Sequence, residues 1–168
     1  PYIFKVESLV EEREKAASLV HQYGRTADDY FKMYFDKAFF FGRTVEGFIA
    51  YKLSSGFALV LGEPVCSDHT SQMEILLREF DEFCLENGIK SAYYKVDNQY
   101  LDLFYGLGKK SLAIGQEAIV DVGNFSLEGK DRKSLRNGLN ALEKKGFHTV
   151  VYSTPIKDGL LQRLQLVS

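Results

Sequence analysis

The chain has 168 residues, with 21 Lys and Arg against 23 Asp and Glu for a formal net charge of −2, and hydrophobic residues make up 45%. That balance excludes an intrinsically disordered segment, and two cysteines are too few for a disulfide scaffold, so Cys66 and Cys84 are read as reduced thiols rather than as a pair. No apolar run approaches the roughly 20 residues of a membrane helix and no basic-then-apolar leader opens the chain, while the start at Pro1 and the interrupted helical pattern at the end lead us to expect an excerpt of a longer protein.

In chain order, residues 2–6 alternate as a short strand. Ser8, with Glu11 three residues on, has the capping-box pattern and opens a helix that Gly24 closes. Residues 27–34 read as a shorter helix with Tyr30, Phe31 and Tyr34 on one side. Three apolar, β-rich runs follow at 38–41, 47–53 and 57–61, and their short polar connections predict an antiparallel meander. The third run lacks polar alternation and is expected to be buried on both faces. Asp68 can cap a helix reaching Asn87, in which Met73, Leu76, Leu77, Phe80 and Phe83 form one stripe, and Gly88 stops it. A strand over 90–96 then completes a strand–helix–strand crossover, which places two parallel strands side by side. An aromatic helix at 98–107 and strands at 111–114 and 117–122 close the series. The 13 Phe and 10 Tyr are read chiefly as core filling, with base stacking or an acyl groove as the alternatives.

The composition shifts after Gly123. From Glu128 to Lys145 six positive residues stand against three negative ones, in a chain that is acidic overall. Projected on a helix, Leu135, Leu139 and Leu142 form a buried stripe. Lys133, Arg136, Asn137, Asn140 and Lys144 fall on the opposite side, with Lys130 and Arg132 close by. Arg forks, Lys point charges and Asn amides together suit phosphate oxygens, and the alternative is a solvated surface helix. A strand at 149–152 and a helix over 156–167 end the chain.

Other chemistry is sparse. His21, His69 and His148 lack metal-ligand spacing, so no metal is expected, and there is no nucleophile elbow or Walker loop. Cys66 follows a turn, but no His is read as supporting it as a nucleophile. Glu63 stands on the loop leaving a central strand, where ligands of open α/β sheets bind, with a plain turn residue as the alternative. No catalytic base is assigned.

The element order through Val122 resembles the GNAT acyltransferase superfamily. The loop at 62–68 lacks the glycine-rich pattern that holds coenzyme A pyrophosphate in that superfamily, so no coenzyme A and no other cofactor is expected. The local words are similar to a narrower family, the catalytic domain of the aminoacyl-phosphatidylglycerol synthases (lysyl- and alanyl-phosphatidylglycerol synthases). The matching stretches are Asp29-Tyr30-Phe31, Asp36-Lys37 with the following aromatics, Leu59-Val60-Leu61-Gly62-Glu63-Pro64, Gly115-Gln116-Glu117-Ala118, and Phe125-Ser126-Leu127-Glu128-Gly129-Lys130 followed by Leu135-Arg136-Asn137. The departures from the family pattern are Gln116 where an acid is usual, Ala113 near a usual basic residue, and Glu63 where Asp is usual.

The resemblance implies an α/β, GNAT-like mixed sheet with helices on both faces over residues 1–122. Residues 123–168 would then be a basic linking helix and the truncated start of a second GNAT-like fold. It implies a bacterial enzyme that moves an amino acid, lysine or alanine, from aminoacyl-tRNA to phosphatidylglycerol at the cytoplasmic membrane face. Its partners would be aminoacyl-tRNA, an anionic phospholipid headgroup, the missing second half and an upstream membrane domain of the same chain, and the fragment alone would be inactive. Lys130, Arg132, Lys133, Arg136, Asn137, Asn140 and Lys144 would hold phosphate, with Glu63 and Glu117 on the site loops. The alternatives are a peptidoglycan-type aminoacyl-tRNA transferase, or a non-catalytic module of the same shape that binds anionic lipid or RNA.

Overall fold

A computed structural model describes residues 10–67 and 70–167. The expected strand at 2–6, the Ser8 cap and the Asp68 cap lie outside the described residues. The chain divides into two compact units, Pro1–Ile114 and Gly115–Ser168.

The first unit is built on a five-stranded sheet. Helix α1 (Val10–Tyr23) and the single-turn α2 (Asp28–Phe31) lead into β1 (Ala38–Phe41), β2 (Gly47–Ser54) and β3 (Phe57–Leu61), the meander read from the sequence. The register pairs Ala38 with Tyr51 and Phe41 with Phe48, then Tyr51 with Val60 and Ser54 with Phe57. A two-residue strand β4 (Val65–Cys66) pairs with the start of β2. Gly47 permits that pairing, because a Cβ there would lie 2.6 Å from Cys66 Cβ and 2.7 Å from the Val65 carbonyl oxygen.

Helix α3 (Thr70–Glu86) crosses over and returns the chain as β5 (Lys90–Tyr94), parallel to β3 with Phe57 opposite Lys90 and Leu61 opposite Tyr94. This is the expected crossover. The helix stripe packs as its periodicity requires: Met73, Leu76, Leu77 and Phe80 are buried against Phe40, Ile49, Tyr51, Ala58 and Val60, and Phe104 of α4 (Leu101–Gly106) joins them. On the other face Ala16 and Leu19 of α1 cover Phe48, Ala50 and Val65. Helices therefore lie on both faces of the sheet, and β2, covered on both, is buried from Gly47 through Tyr51.

Several expectations are corrected. Strand β3 is not buried on both faces: Ala58 and Val60 are inside, but Phe57 and Leu59 are each 39% exposed. The reason is that α1 packs over β2 and β4 and leaves the outer face of β3 open. In α2 the aromatics are outside and the charges inside. Tyr30, Phe31 and Tyr34 touch one another ring to ring yet stay exposed, whereas Asp29 and Lys32 are buried. The expected strands at 111–114, 117–122 and 149–152 do not form. A strand exists only where a neighbour takes its N–H and C=O groups, and none among the described residues pairs with these runs.

In the second unit, residues 115–129 have no regular structure beyond turns. A short 3-10 turn (Lys130–Arg132) opens α5 (Lys133–Lys144), and α6 (Asp158–Gln165) follows. The leucine stripe of α5 is not buried as expected: Leu135, Leu139 and Leu142 are 48%, 45% and 49% exposed.

Candidate functional site

In the first unit, polar chemistry gathers where parallel β3 and β5 end at their carboxyl termini. Both strands leave the sheet through a left-handed residue, Gly62 with φ +62° and Lys95 with φ +60°. The Gly62 N–H donates to the Tyr94 carbonyl at 2.8 Å, which extends the ladder by one bond before the chains part. Glu63 comes next and is half-buried. Its carboxylate accepts the Asp97 N–H, and its main-chain carbonyl accepts a 2.6 Å bond from Lys32 Nζ.

Lys32 reaches that carbonyl from α2, where it also pairs with Asp29 Oδ1 at 2.6 Å. The residues are 4% and 6% exposed, so this is an ion pair inside the protein. Asp29 Oδ2 accepts the N–H groups of Arg25 and Thr26 at 2.7 and 2.9 Å, which folds the α1–α2 connection around the carboxylate. Burial alone would raise the Asp29 pKa, but the Lys32 ammonium and the two amides outweigh it, and the carboxyl lies below its ordinary value. Further ties complete the frame. Arg25 donates to the Tyr100 hydroxyl at 2.7 Å and to the Cys66 carbonyl at 3.2 Å, and Lys95 Nζ pairs with Asp28 at 2.6 Å. Of this group, sequence reasoning singled out only Glu63. Asp29 stood in a matched stretch with no role given to it, and Arg25, Lys32, Lys95 and Tyr100 were missed. The available signal was an Asp and a Lys three residues apart, on the same side of one helical turn.

The other expected site residues belong to the second unit. Lys130, Lys133, Asn137, Asn140 and Lys144 are exposed. Two of the expected phosphate ligands, Arg132 and Arg136, also make contacts within the unit. Arg136 Nη1 donates to the carbonyls of Leu127 and Gly129, the latter at 2.7 Å, and so ties the loop before α5 to the helix. The Arg132 guanidinium lies 5.4 Å from the centre of the Phe125 ring. Glu117 is exposed in the stretch without regular structure. Cys66 and Cys84 are buried and form no disulfide, and burial together with Asp81 pushes the Cys84 thiol up to about 11, which makes it a poor nucleophile.

A mixed sheet with helices on both faces and a strand–helix–strand crossover, opening at the carboxyl ends of its parallel pair, has a GNAT-like architecture. The solved structure of L-PGS from Bacillus licheniformis has this architecture, with a TM-score of 0.79 at 24% identity over 99% of this chain and 50% of that one. So does the C-terminal domain of a putative lysylphosphatidylglycerol synthetase from Agrobacterium fabrum, with a TM-score of 0.80 at 24% identity over 96% of this chain and 50% of that one. The family model described as "Phosphatidylglycerol lysyltransferase, C-terminal" matches residues 17–168, and the chain belongs to that family. Among relatives, a phosphatidylglycerol lysyltransferase of Staphylococcus epidermidis is 28% identical over 90% of this chain, and one of Staphylococcus aureus is 27% identical over 98%. The chain spans 18% and 19% of the length of those two relatives.

Proposed function

We propose that this chain forms part of the transfer centre of an aminoacyl-phosphatidylglycerol synthase, which passes an amino acid, lysine or alanine, from aminoacyl-tRNA to phosphatidylglycerol at the cytoplasmic face of the membrane. The observation that carries this reading is the family match over residues 17–168. In this reading residues 1–122 belong to the first of two GNAT-like folds, and residues 123–168 are the basic connection and the opening of the second.

The chemistry asks for placement more than for covalent help, because the ester in aminoacyl-tRNA is already activated. A glycerol hydroxyl of the lipid attacks the aminoacyl carbonyl carbon. The new C–O bond forms, the bond to the ribose oxygen breaks, and the hydroxyl proton ends on that ribose oxygen. The protein gains most by holding the two substrates in line and by placing donors where the tetrahedral oxyanion develops. Lys130, Lys133, Asn137, Asn140 and Lys144 contact phosphate of the tRNA backbone or the lipid headgroup in this reading. Arg132 and Arg136 keep the approach to α5 in shape, and their remaining donors serve the same anion. Glu63, on the loop leaving β3 in the first unit, and Glu117, in the stretch before α5 in the second, are the site-loop carboxylates of this reading.

The test supplies the full-length protein that contains this chain with radiolabelled lysyl- or alanyl-tRNA and phosphatidylglycerol vesicles, and follows label into the lipid phase. Label in phosphatidylglycerol is the expected result. Label in a peptidoglycan precursor offered in parallel, or in neither acceptor, overturns the reading.

A further inference from the structure

We propose that the buried Asp29–Lys32 pair is a positioning device for the transfer centre, holding the Gly62–Glu63 turn at the carboxyl end of β3 against the turn that follows β5. The proposal rests on the reading above and adds residues that make no contact with substrate.

The pair is a poor choice for stability alone. Two charges taken out of water recover little more than an apolar pair of the same volume would give, so an ion pair inside a protein calls for some other account. Here the account is geometric. An ammonium has three donors and can tie several acceptors at once. Two of them go to Asp29 Oδ1 and to the Glu63 carbonyl, each at 2.6 Å. Asp29 is itself held by the Arg25 and Thr26 amides, so the position of Lys32 Nζ is set before it reaches Glu63. A methionine or leucine could fill the space, but neither could fix that carbonyl.

What is held has the marks of a site. Glu63 is fixed at both ends, its carbonyl by Lys32 and its carboxylate by the Asp97 N–H. The chain on either side of the parting strands runs through left-handed residues, and one of them, Lys95, is not glycine. A non-glycine residue keeps such a conformation where its surroundings over-determine it, and such residues cluster where geometry serves function. The carboxyl ends of parallel strands are also where open α/β sheets take their ligands. Lys32 reaches this point from α2, 31 residues before the carbonyl it binds. The contact therefore joins the α1–α2 connection to the mouth of the sheet.

The experiment uses the full-length protein and compares the parent, Lys32→Met, and the double variant Asp29→Leu/Lys32→Met, each assayed per folded molecule. Lys32→Met leaves a carboxylate buried without its cation and melts at a lower temperature, while the double variant removes that charge and recovers part of the loss, the Arg25 and Thr26 amides having lost their acceptor. The expected result is a double variant with kcat at least tenfold lower than the parent and KM for aminoacyl-tRNA within about twofold. Hydrogen exchange should quicken at the Asp97 amide and stay unchanged in the β1–β2 ladder. A double variant with the parent's kcat overturns the proposal and leaves the pair as packing. Should the double variant not fold, Asp29→Asn decides, since it keeps the shape and an acceptor while weakening the hold on Lys32. Lower kcat at unchanged KM then supports the proposal, and the parent's kcat overturns it. A parent protein that labels no lipid overturns the functional reading instead, and exchange at Asp97 in the Lys32 variants then decides whether the pair holds the turn.

Discussion

Single residues of this chain owe their identities to partners far away in sequence. Gly47 is an example, since a methyl group there would press on the Cys66 side chain and the Val65 carbonyl at 2.6 and 2.7 Å. Both neighbours are buried strand atoms with little room to yield. Gly47→Ala is therefore expected to cost about 1–3 kcal/mol, the usual penalty for an overfilled core, read as a lower urea midpoint at unchanged slope. An unchanged midpoint would show that β4 can move away from β2 at no cost. Asp29 and Lys32 show what residue-level reading misses. The sequence reading sets Tyr30, Phe31 and Tyr34 on one side of a helix and takes the aromatics chiefly as core filling, with no place given to Asp29 and Lys32. In the structure these aromatics are exposed and the Asp29–Lys32 pair is inside, because the acceptor that draws Lys32 inward is a main-chain carbonyl following β3. Nothing near residue 32 announces that carbonyl.

Elements were legible where their own residues decide their state. The three meander strands and the α3 stripe follow from apolar runs, polar connections and 3.6-residue spacing, and each forms where expected. Phe80 lies at the centre of that stripe, fully buried and in ring contact with Phe40, Tyr51 and Phe83. Phe80→Ala is expected to cost about 3–5 kcal/mol in chemical denaturation, and a loss below about 1 kcal/mol would mean that the core collapses around the gap. The runs at 111–114, 117–122 and 149–152 were misread because strand formation belongs to a pair, and composition says nothing about whether a neighbour is there. Helix α5 was legible in its position, but the ties of Arg136 to the loop before it were not, because they depend on carbonyls outside the helix. Charge reversal at Lys133 and Lys144 together is expected to weaken binding of tRNA in the full-length protein. It should also flatten the salt dependence by about one unit of slope for each phosphate that is no longer neutralised. Arg136→Ala should act otherwise, quickening amide exchange around residues 127–130 as the loop loses its two carbonyl ties. Equal salt slopes in the Lys133/Lys144 variant and the parent would reduce that face to solvated surface.

At the scale of the whole molecule, buried carboxylates tie the pieces of the first unit together. Glu79 of α3 accepts the N–H groups of Arg43 at 2.7 Å and Thr44 at 3.0 Å and the Thr44 hydroxyl, closing the β1–β2 turn onto the helix. Burial alone would raise its pKa, but the Thr44 hydroxyl and the two amides prevail, and it lies below the ordinary 4.5; Asp29 likewise lies below the ordinary 3.8. A carboxyl group whose pKa is lower folded than unfolded adds stability that is complete above the unfolded value and is lost as pH falls through the folded one. The urea midpoint is thus expected to hold from about pH 7 to about 5 and to drop steadily below about 4, with a shallower drop in Glu79→Gln. A midpoint that stays level down to about pH 3 would contradict these assignments.

The parallel pairing of β3 with β5 also sets an order of events in time. The meander closes on itself through connections of a few residues, whereas Phe57 meets Lys90 only after the whole of α3 has been laid down between them. Closing the longer loop costs more chain entropy before any pairing repays it, so the hairpins form early and docking of β5 comes late. During synthesis the meander leaves the ribosome before its fourth neighbour exists, and its β3 edge waits unpaired until α3 and β5 follow. Substitutions in the β1–β2 hairpin should then slow folding, and substitutions along β5 should chiefly speed unfolding. A late-closing β5 also means that the mouth of the sheet, where Glu63 faces Asp97, is among the last parts of the molecule to take shape.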